Sequence, residues 1–327
     1  MNNLHLRRRG FAALSLLGLA GASTVWAQEP RWPSRPVRLV VPYAAGGPTD
    51  IIARLVAQHA GAALGQSIVV DNRAGAGGTI GVTAVLKSDP DGYTLALVAP
   101  GPIAGMPHLM KLPYGAADVQ YVTTVARTSS VLVVRAGSGI DSLADLLREA
   151  KRRPGKLNYG SAGPGTTPHL GAELLKQEAG IDIVHVPYKG AAPALTALMA
   201  GEIQLMLVDL LPTLPHLASG RLRALAVVGA ARNAQIPQVP TTGELGLPRV
   251  TMDTDYGIVG PRGLPETVQQ RVRDAVAAAL QSPQVKAELA RLGAVGFTST
   301  SDEYRARNEE ESRKWQRVVS SGHITLE

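Results

Sequence analysis

Val41-Pro42-Tyr43-Ala44-Ala45-Gly46-Gly47-Pro48-Thr49-Asp50 is the stretch whose reading decides the fold. The apolar run 37–41 leads into it and reads as a strand. Two glycines follow, and from Asp50 apolar residues recur at 51, 52, 55, 56, 60 and 63, the spacing of one helix face, until Gly65 stops the pattern. A strand that passes through glycines into a helix opens a βαβ unit. The pattern continues with a strand at 68–70, a helix at 79–87 and a strand at 94–98 after the turn Pro90-Asp91-Gly92. That order predicts a parallel sheet with helices on both faces.

A second series starts at the strand 131–134. Ser142 and Asp145 form a capping-box start for a helix to Lys151. Then come a strand at 157–159, a helix entered through Thr167-Pro168 and ended near Gly180, and a strand at 183–186. A helix at 193–200 and strands at 203–208 and 224–228 complete the series, followed by a loop-like region at 237–248 and an extended segment at 250–259. The tail reads as helices at 265–281, 284–292 and 302–319. The expected fold class is α/β, with two doubly wound lobes and a ligand cleft between them. Residues 28–127 plus 250–327 are expected to form a discontinuous lobe I, with the helical tail packed on it, and residues 128–249 lobe II. The chain would cross twice, near Arg127 and near Thr251, and those crossings would act as a hinge.

The chain has 327 residues, enough for two domains. Phe11 and Phe297 are its only phenylalanines, so the core must be aliphatic. Arg7, Arg8 and Arg9 precede an apolar stretch at 11–22, and Val25-Trp26-Ala27 has small residues where a signal peptidase reads. Residues 1–27 are therefore expected to be a signal peptide cleaved after Ala27, with the mature chain in the periplasm. The alternative, a retained anchor, is disfavoured because 11–27 is short for a span of about 20 residues. Arg8-Arg9-Gly10-Phe11 also has twin-arginine character, so the export route stays open. The leader holds three arginines and no acid, and its loss takes the net charge from +7 to +4. That mild excess favours anionic ligands. No basic block with interleaved aromatics is present, so nucleic acid is not an expected partner. The absence of cysteine excludes thiol nucleophiles and Cys metal sites.

One device occurs twice. The strand-to-helix loop at 43–50 is matched by Tyr159-Gly160-Ser161-Ala162-Gly163-Pro164-Gly165-Thr166-Thr167-Pro168-His169. Glycine lets backbone approach a ligand, and a helix start offers free N–H donors with a partial positive charge. In a parallel sheet both loops lie at strand C-terminal ends, where ligands bind. Neither loop contains Lys or Arg, so backbone groups are expected to hold the anion, with Arg73 or Lys189 as the basic side chains best able to reach in. Each feature also has a plainer reading. Asp50 suits a helix cap, His169 a capping or loop-packing role, and Asp71-Asn72-Arg73 an ion-paired turn.

At this point the chain resembles the Bug family of periplasmic solute-binding receptors of tripartite tricarboxylate transporters. The resemblance rests on Trp32-Pro33-Ser34-Arg35-Pro36-Val37, the loop 41–50, Val70-Asp71-Asn72-Arg73-Ala74-Gly75-Ala76-Gly77-Gly78 and Asp89-Pro90-Asp91-Gly92-Tyr93-Thr94-Leu95. It continues through 161–170, Val186-Pro187-Tyr188-Lys189-Gly190, Arg223-Ala224-Leu225-Ala226-Val227 and Val239-Pro240-Thr241-Thr242-Gly243-Glu244. It implies a type II periplasmic binding fold that closes on its ligand by hinge motion. It implies ligand contacts from Tyr43, Ala45, Gly46, Gly47, Thr49 and Asp50 in the first loop. The second loop would contribute Ser161, Ala162, Gly163, Thr166 and His169. A strand-end acid, Asp209, and Tyr256 on the return crossing complete the implied set. Tyr256 stands where a Trp is frequent in the family, and Pro48 where many relatives carry a small flexible residue; both departures bear on ligand size and donor number.

The implied function is capture of a small carboxylate and its delivery to a membrane permease, by a monomer without cofactor, metal or catalysis. Dicarboxylates, tricarboxylates, acidic amino acids and aromatic acids all stay open. A sensor subunit presenting ligand to a membrane signalling protein shares the same chemistry. A hydrolase using Ser161 and His169 is the alternative from another class. Against it, Ser161 lacks the glycine two positions before it that a nucleophile elbow needs. Gly75-Ala76-Gly77-Gly78-Thr79-Ile80 misses the third glycine of a dinucleotide fingerprint.

Overall fold

The computed structural model describes residues 32–325. The expected signal peptide and its cleavage point lie outside the described residues. The first series forms β1 (Val37–Val41), α1 (Pro48–Leu64), β2 (Ile68–Asn72), α2 (Thr79–Leu86) and β3 (Thr94–Val98). Then comes β4 (Val119–Arg135), a strand of 17 residues. The second series is α3 (Leu143–Arg152), β5 (Asn158–Ser161), α4 (Thr167–Ala179), β6 (Val184–Pro187), α5 (Ala191–Ala200), β7 (Leu205–Asp209), α6 (Leu214–Ala218) and β8 (Leu222–Val228). The chain returns through β9 (Asp253–Pro261) and ends with α7 (Glu266–Gln281), α8 (Pro283–Arg291), β10 (Ala294–Gly296) and α9 (Ser301–Gly322).

Two sheets share β4. Its residues up to Ser129 pair antiparallel with β9, and those from Ser130 onward pair with β7 and β8. In the first sheet β1 lies parallel to β2 and β3, and β3 pairs antiparallel with β9. In the second, β5 lies parallel to β6 and β7. The parallel order expected from the βαβ pattern holds at the outer strands, while antiparallel β4 and β9 form the middle.

The core follows from strand alternation. On β4, Val131 and Val133 pack with Leu195 and Leu198 of α5, while Leu132 and Val134 pack with Leu146 of α3 and Leu170 of α4. A strand covered on both faces reads as a continuous apolar run, which is why 131–134 was legible in the sequence. The N-terminal part of β4 was not: Thr123, Thr124 and Thr128 are fully buried there, and threonine does not register as apolar. The three-residue β10 was too short to show a period.

The tail departs from expectation. α9 has 22 residues and so runs about 33 Å, enough to reach both sheets. Near its start Tyr304 meets Tyr121 of β4 edge-on at 5.1 Å, and Asn308 Nδ2 donates to the Tyr121 hydroxyl at 2.9 Å. Near its end Trp315, Val318 and Val319 are buried in the same cluster as Leu170, Leu174 and Leu175 of α4. Gln177 of α4 donates to the Val318 carbonyl at 2.9 Å. The helix thus joins both cores rather than only the first.

Candidate functional site

The starts of α1 and α4 converge on one cavity of about 30 Å³. Tyr43, Gly47, Pro48, Thr49 and Ala99 line it from the first sheet's loops. Ala162, Thr166, Thr167, Pro168, Ala191 and Asp209 line it from the second, and Thr254 and Tyr256 of β9 close the remaining wall. No Lys or Arg is among these residues. Of the residues singled out in the sequence, Tyr43, Gly47, Thr49, Ala162, Thr166, Asp209 and Tyr256 lie in this wall.

Ala45, Gly46, Asp50, Ser161, Gly163 and His169 do not. Asp50 is turned back into its own loop. Its Oδ2 accepts from the Gly46 N–H at 2.9 Å and from Arg54 Nε at 3.0 Å, and its Oδ1 accepts from Asn72 Nδ2 at 3.0 Å. Burial pushes its pKa up, but hydrogen bonds from Arg54, Gly46 and Asn72 outweigh it and hold the carboxyl below its usual range. Asn72 also donates to the Tyr43 carbonyl at 3.1 Å, so the Asp71-Asn72-Arg73 turn braces this loop from beneath. Arg73 itself pairs with Asp71 at 2.8 Å.

The second loop is built the same way. The Gly163 N–H donates to Ser161 Oγ at 3.0 Å, and the Gly165 N–H donates to His169 Nδ1 at 3.1 Å. Ser161 is fully buried, and its hydroxyl sits 2.6 Å from Nε2 of His185, not against His169. The expected donors, the glycine N–H groups, are therefore consumed inside both loops at Gly46, Gly163 and Gly165. The donors without intrahelical acceptors are those of the first helical turns. The Ile51 N–H already reaches the Gly47 carbonyl and the Leu170 N–H the Thr166 carbonyl. This leaves the N–H groups of Thr49 and Asp50 on α1 and of Thr167 and His169 on α4 without an acceptor in their own helices.

Several wall residues are not among the ligand contacts that the resemblance implies: Pro48, Ala99, Thr167, Pro168, Ala191 and Thr254. The Thr167 hydroxyl is buried without a hydrogen-bond partner, the mark of a group reserved for something else. Its signal, a threonine before a proline, is present in the sequence and reads there only as the entry to a helix, whose cap in the structure is Thr166. Ala99 and Thr254 belong to no local motif.

Asp209, at the end of β7, is a clasp. Its Oδ1 accepts from the Thr128 hydroxyl on β4, and its Oδ2 accepts from the Tyr256 hydroxyl on β9 at 2.8 Å. Burial raises its pKa, while the Thr128 and Tyr256 hydroxyls pull the other way. The acid thus ties together the two strands on which the chain crosses between sheets.

The two sides of the cavity meet backbone to backbone. The Ala44 N–H donates to the Lys189 carbonyl at 3.1 Å. Gly77, at φ +63°, lies so close to the second loop that a Cβ there would stand 2.1 Å from the Pro164 carbonyl oxygen. Gly163 faces it from the other side, its Cβ position 3.1 Å from the Gly77 Cα.

Comparison with known proteins agrees with this architecture. BugT of Bordetella pertussis is 36% identical over 291 residues, 88% of this chain and 89% of that protein. The structure of Rpa4515 from R. palustris with adipate superposes with a TM-score of 0.86 at 36% identity, covering 90% of this chain and 99% of the other. MatC from Rhodopseudomonas palustris, with bound malate, gives 0.85 at 31% identity, covering 88% and 100%. The family model described as the tripartite tricarboxylate transporter family receptor matches residues 52–323. With a two-lobed α/β fold and a cavity between paired helix starts, this chain belongs to that solute-binding receptor family.

Proposed function

We propose that this protein captures a small organic acid in the cavity between its lobes, exports no chemistry of its own, and delivers the acid to a tripartite tricarboxylate-type permease from the periplasm. The observation that carries this reading is a cavity flanked by two helix starts, with an unpartnered buried hydroxyl at Thr167 and no basic side chain in its wall. Helix N-termini favour anions through free N–H groups and the helix dipole. Hydrogen bonds to a charged group contribute about 1.5–3 kcal/mol each, so a handful suffices for micromolar affinity without a cation. The adipate and malate held by two relatives support a small carboxylate as the ligand class. In the same proposal the lobes divide at 127/128 and 249/250, and the leader is removed after Ala27.

Thermal shift tests the reading. A bound acid at a hundredfold excess over its Kd stabilises by about 2.7 kcal/mol, a rise of several degrees. Thr167→Val keeps the shape and deletes one donor, so affinity should fall by roughly tenfold or more. Arg73→Ala and Lys189→Ala should stay within about threefold of wild type, because Arg73 is paired with Asp71 and Lys189 is exposed. Loss of the shift in either alanine variant, with Thr167→Val unaffected, would replace the helix-start site with a side-chain clamp.

A further inference from the structure

We propose that His169 is a positioning residue for the ligand loop: its neutral Nδ1 holds the Gly165 N–H turned into the protein, and His185 fixes the other half of the loop through Ser161, so that α4 presents its first turn to the cavity in one shape and loses that shape when His169 takes up a proton. The inference rests on the reading that α4 receives the ligand anion, and it adds a pH dependence to that reading.

The loop 162–166 contains Gly163 at φ +124° and Gly165 at φ +66°, conformations that glycine adopts freely and does not enforce. Side chains enforce them. Besides the two glycine N–H bonds, the Thr166 hydroxyl donates to the Gly163 carbonyl at 2.6 Å. Behind the loop, the His169 and His185 rings stack at 4.1 Å, and His185 stacks on Tyr159 at 4.9 Å. The Tyr159 hydroxyl donates to Glu173 at 2.5 Å, and Lys176 donates to the same carboxylate at 3.0 Å.

An imidazole accepts a hydrogen bond only when neutral. Protonation places a hydrogen on Nδ1, opposite the Gly165 N–H, and the bond is lost. His185 differs, because its Nε2 can face the Ser161 hydroxyl as donor or acceptor, so a proton there breaks nothing in the loop. The groups around the pair are Tyr159 on β5, His185 on β6, and Glu173 and Lys176 on α4. Burial is the main influence on His169, with Lys176 adding to it, and together they bring it down to about 4. Burial and the neighbouring His169 bring His185 to about 3, against the pull of Glu173. With the folded value below the ordinary 6.5, the neutral form and its bond prevail near neutrality and are lost as pH falls toward about 4.

The test compares wild type with His169→Asn, whose Oδ1 can stand where Nδ1 stood and does not titrate, and with His169→Ala. Amide exchange of Gly165, read by NMR near neutral pH, should speed up about tenfold or more in the alanine variant and stay within about threefold in the asparagine variant. Adipate affinity, measured from neutrality down to about pH 4, should fall about tenfold further in wild type than in His169→Asn. Adipate's own titration cancels in that comparison. Undiminished Gly165 protection in His169→Ala, or parallel pH profiles in wild type and His169→Asn, overturns the proposal. If Gly165 behaves as expected while adipate fails to bind wild type, the positioning role stands and adipate is removed from the ligand class.

Discussion

Gly77→Ala is expected to weaken binding of the ligand acid by roughly tenfold to a hundredfold while the protein stays folded. Any residue other than glycine is strained at φ +63°, but that cost applies whether the lobes are together or apart. The selective effect comes from the Cβ itself, which would stand 2.1 Å from the Pro164 carbonyl oxygen. Pro164 lies in the loop that starts α4, and neither it nor the backbone of Gly77 can yield without opening the cavity. Overpacking of this kind costs about 1–3 kcal/mol, and each 1.4 kcal/mol is tenfold in affinity. Small-angle scattering at saturating ligand should show a larger radius for the variant than for wild type. Gly47 offers the contrast. A Cβ there would meet nothing nearer than the Ala44 carbonyl at 3.6 Å, so Gly47→Ala should be mild. Unchanged affinity and dimensions in Gly77→Ala would mean that the two loops do not need their close contact for binding.

Trp315→Ala should produce the largest loss of stability. Trp315 is fully buried and packs with residues of α4 and the second sheet, although it sits on the last helix of a tail that begins on the first. Deleting a buried tryptophan side chain costs about 3–5 kcal/mol in lost transfer energy and cavity formation. The denaturant midpoint should move accordingly, and the melting temperature by roughly 10 °C. Trp315→Phe should recover part of the loss. A cost below about 1 kcal/mol would mean that the end of α9 is not part of the second core.

The reach of α9 shows where sequence reading stopped. Its amphipathic pattern predicts a helix with one buried face, and the structure has that helix at 301–322. A helix face does not say which sheet it covers, and nothing local in Trp315 or Val318 points to α4. The same holds for the site. The two glycine loops were legible because strand, glycine and helix start follow one another in the chain. The direction of their N–H groups was not, because it depends on Asp50 and His169, each four residues beyond the glycine it engages. Asp50 reads more plainly as a helix cap and His169 as a capping or loop-packing residue; the structure has Gly47 at the cap of α1 and bonds both side chains back into their own loops. Thr254 and Ala99 reach the cavity only through the sheet order, and a sequence met without its partners carries no trace of that.

The most direct measurement is a calorimetric titration of the mature protein with mono- and dicarboxylates, adipate and malate among them, each beside its neutral amide. Saturable one-site binding of at least one acid, with a Kd in the micromolar range or below and no detectable binding of its amide, is the expected result. Equal binding of acid and amide, or no heat from any acid, would contradict a cavity in which two helix starts receive a carboxylate.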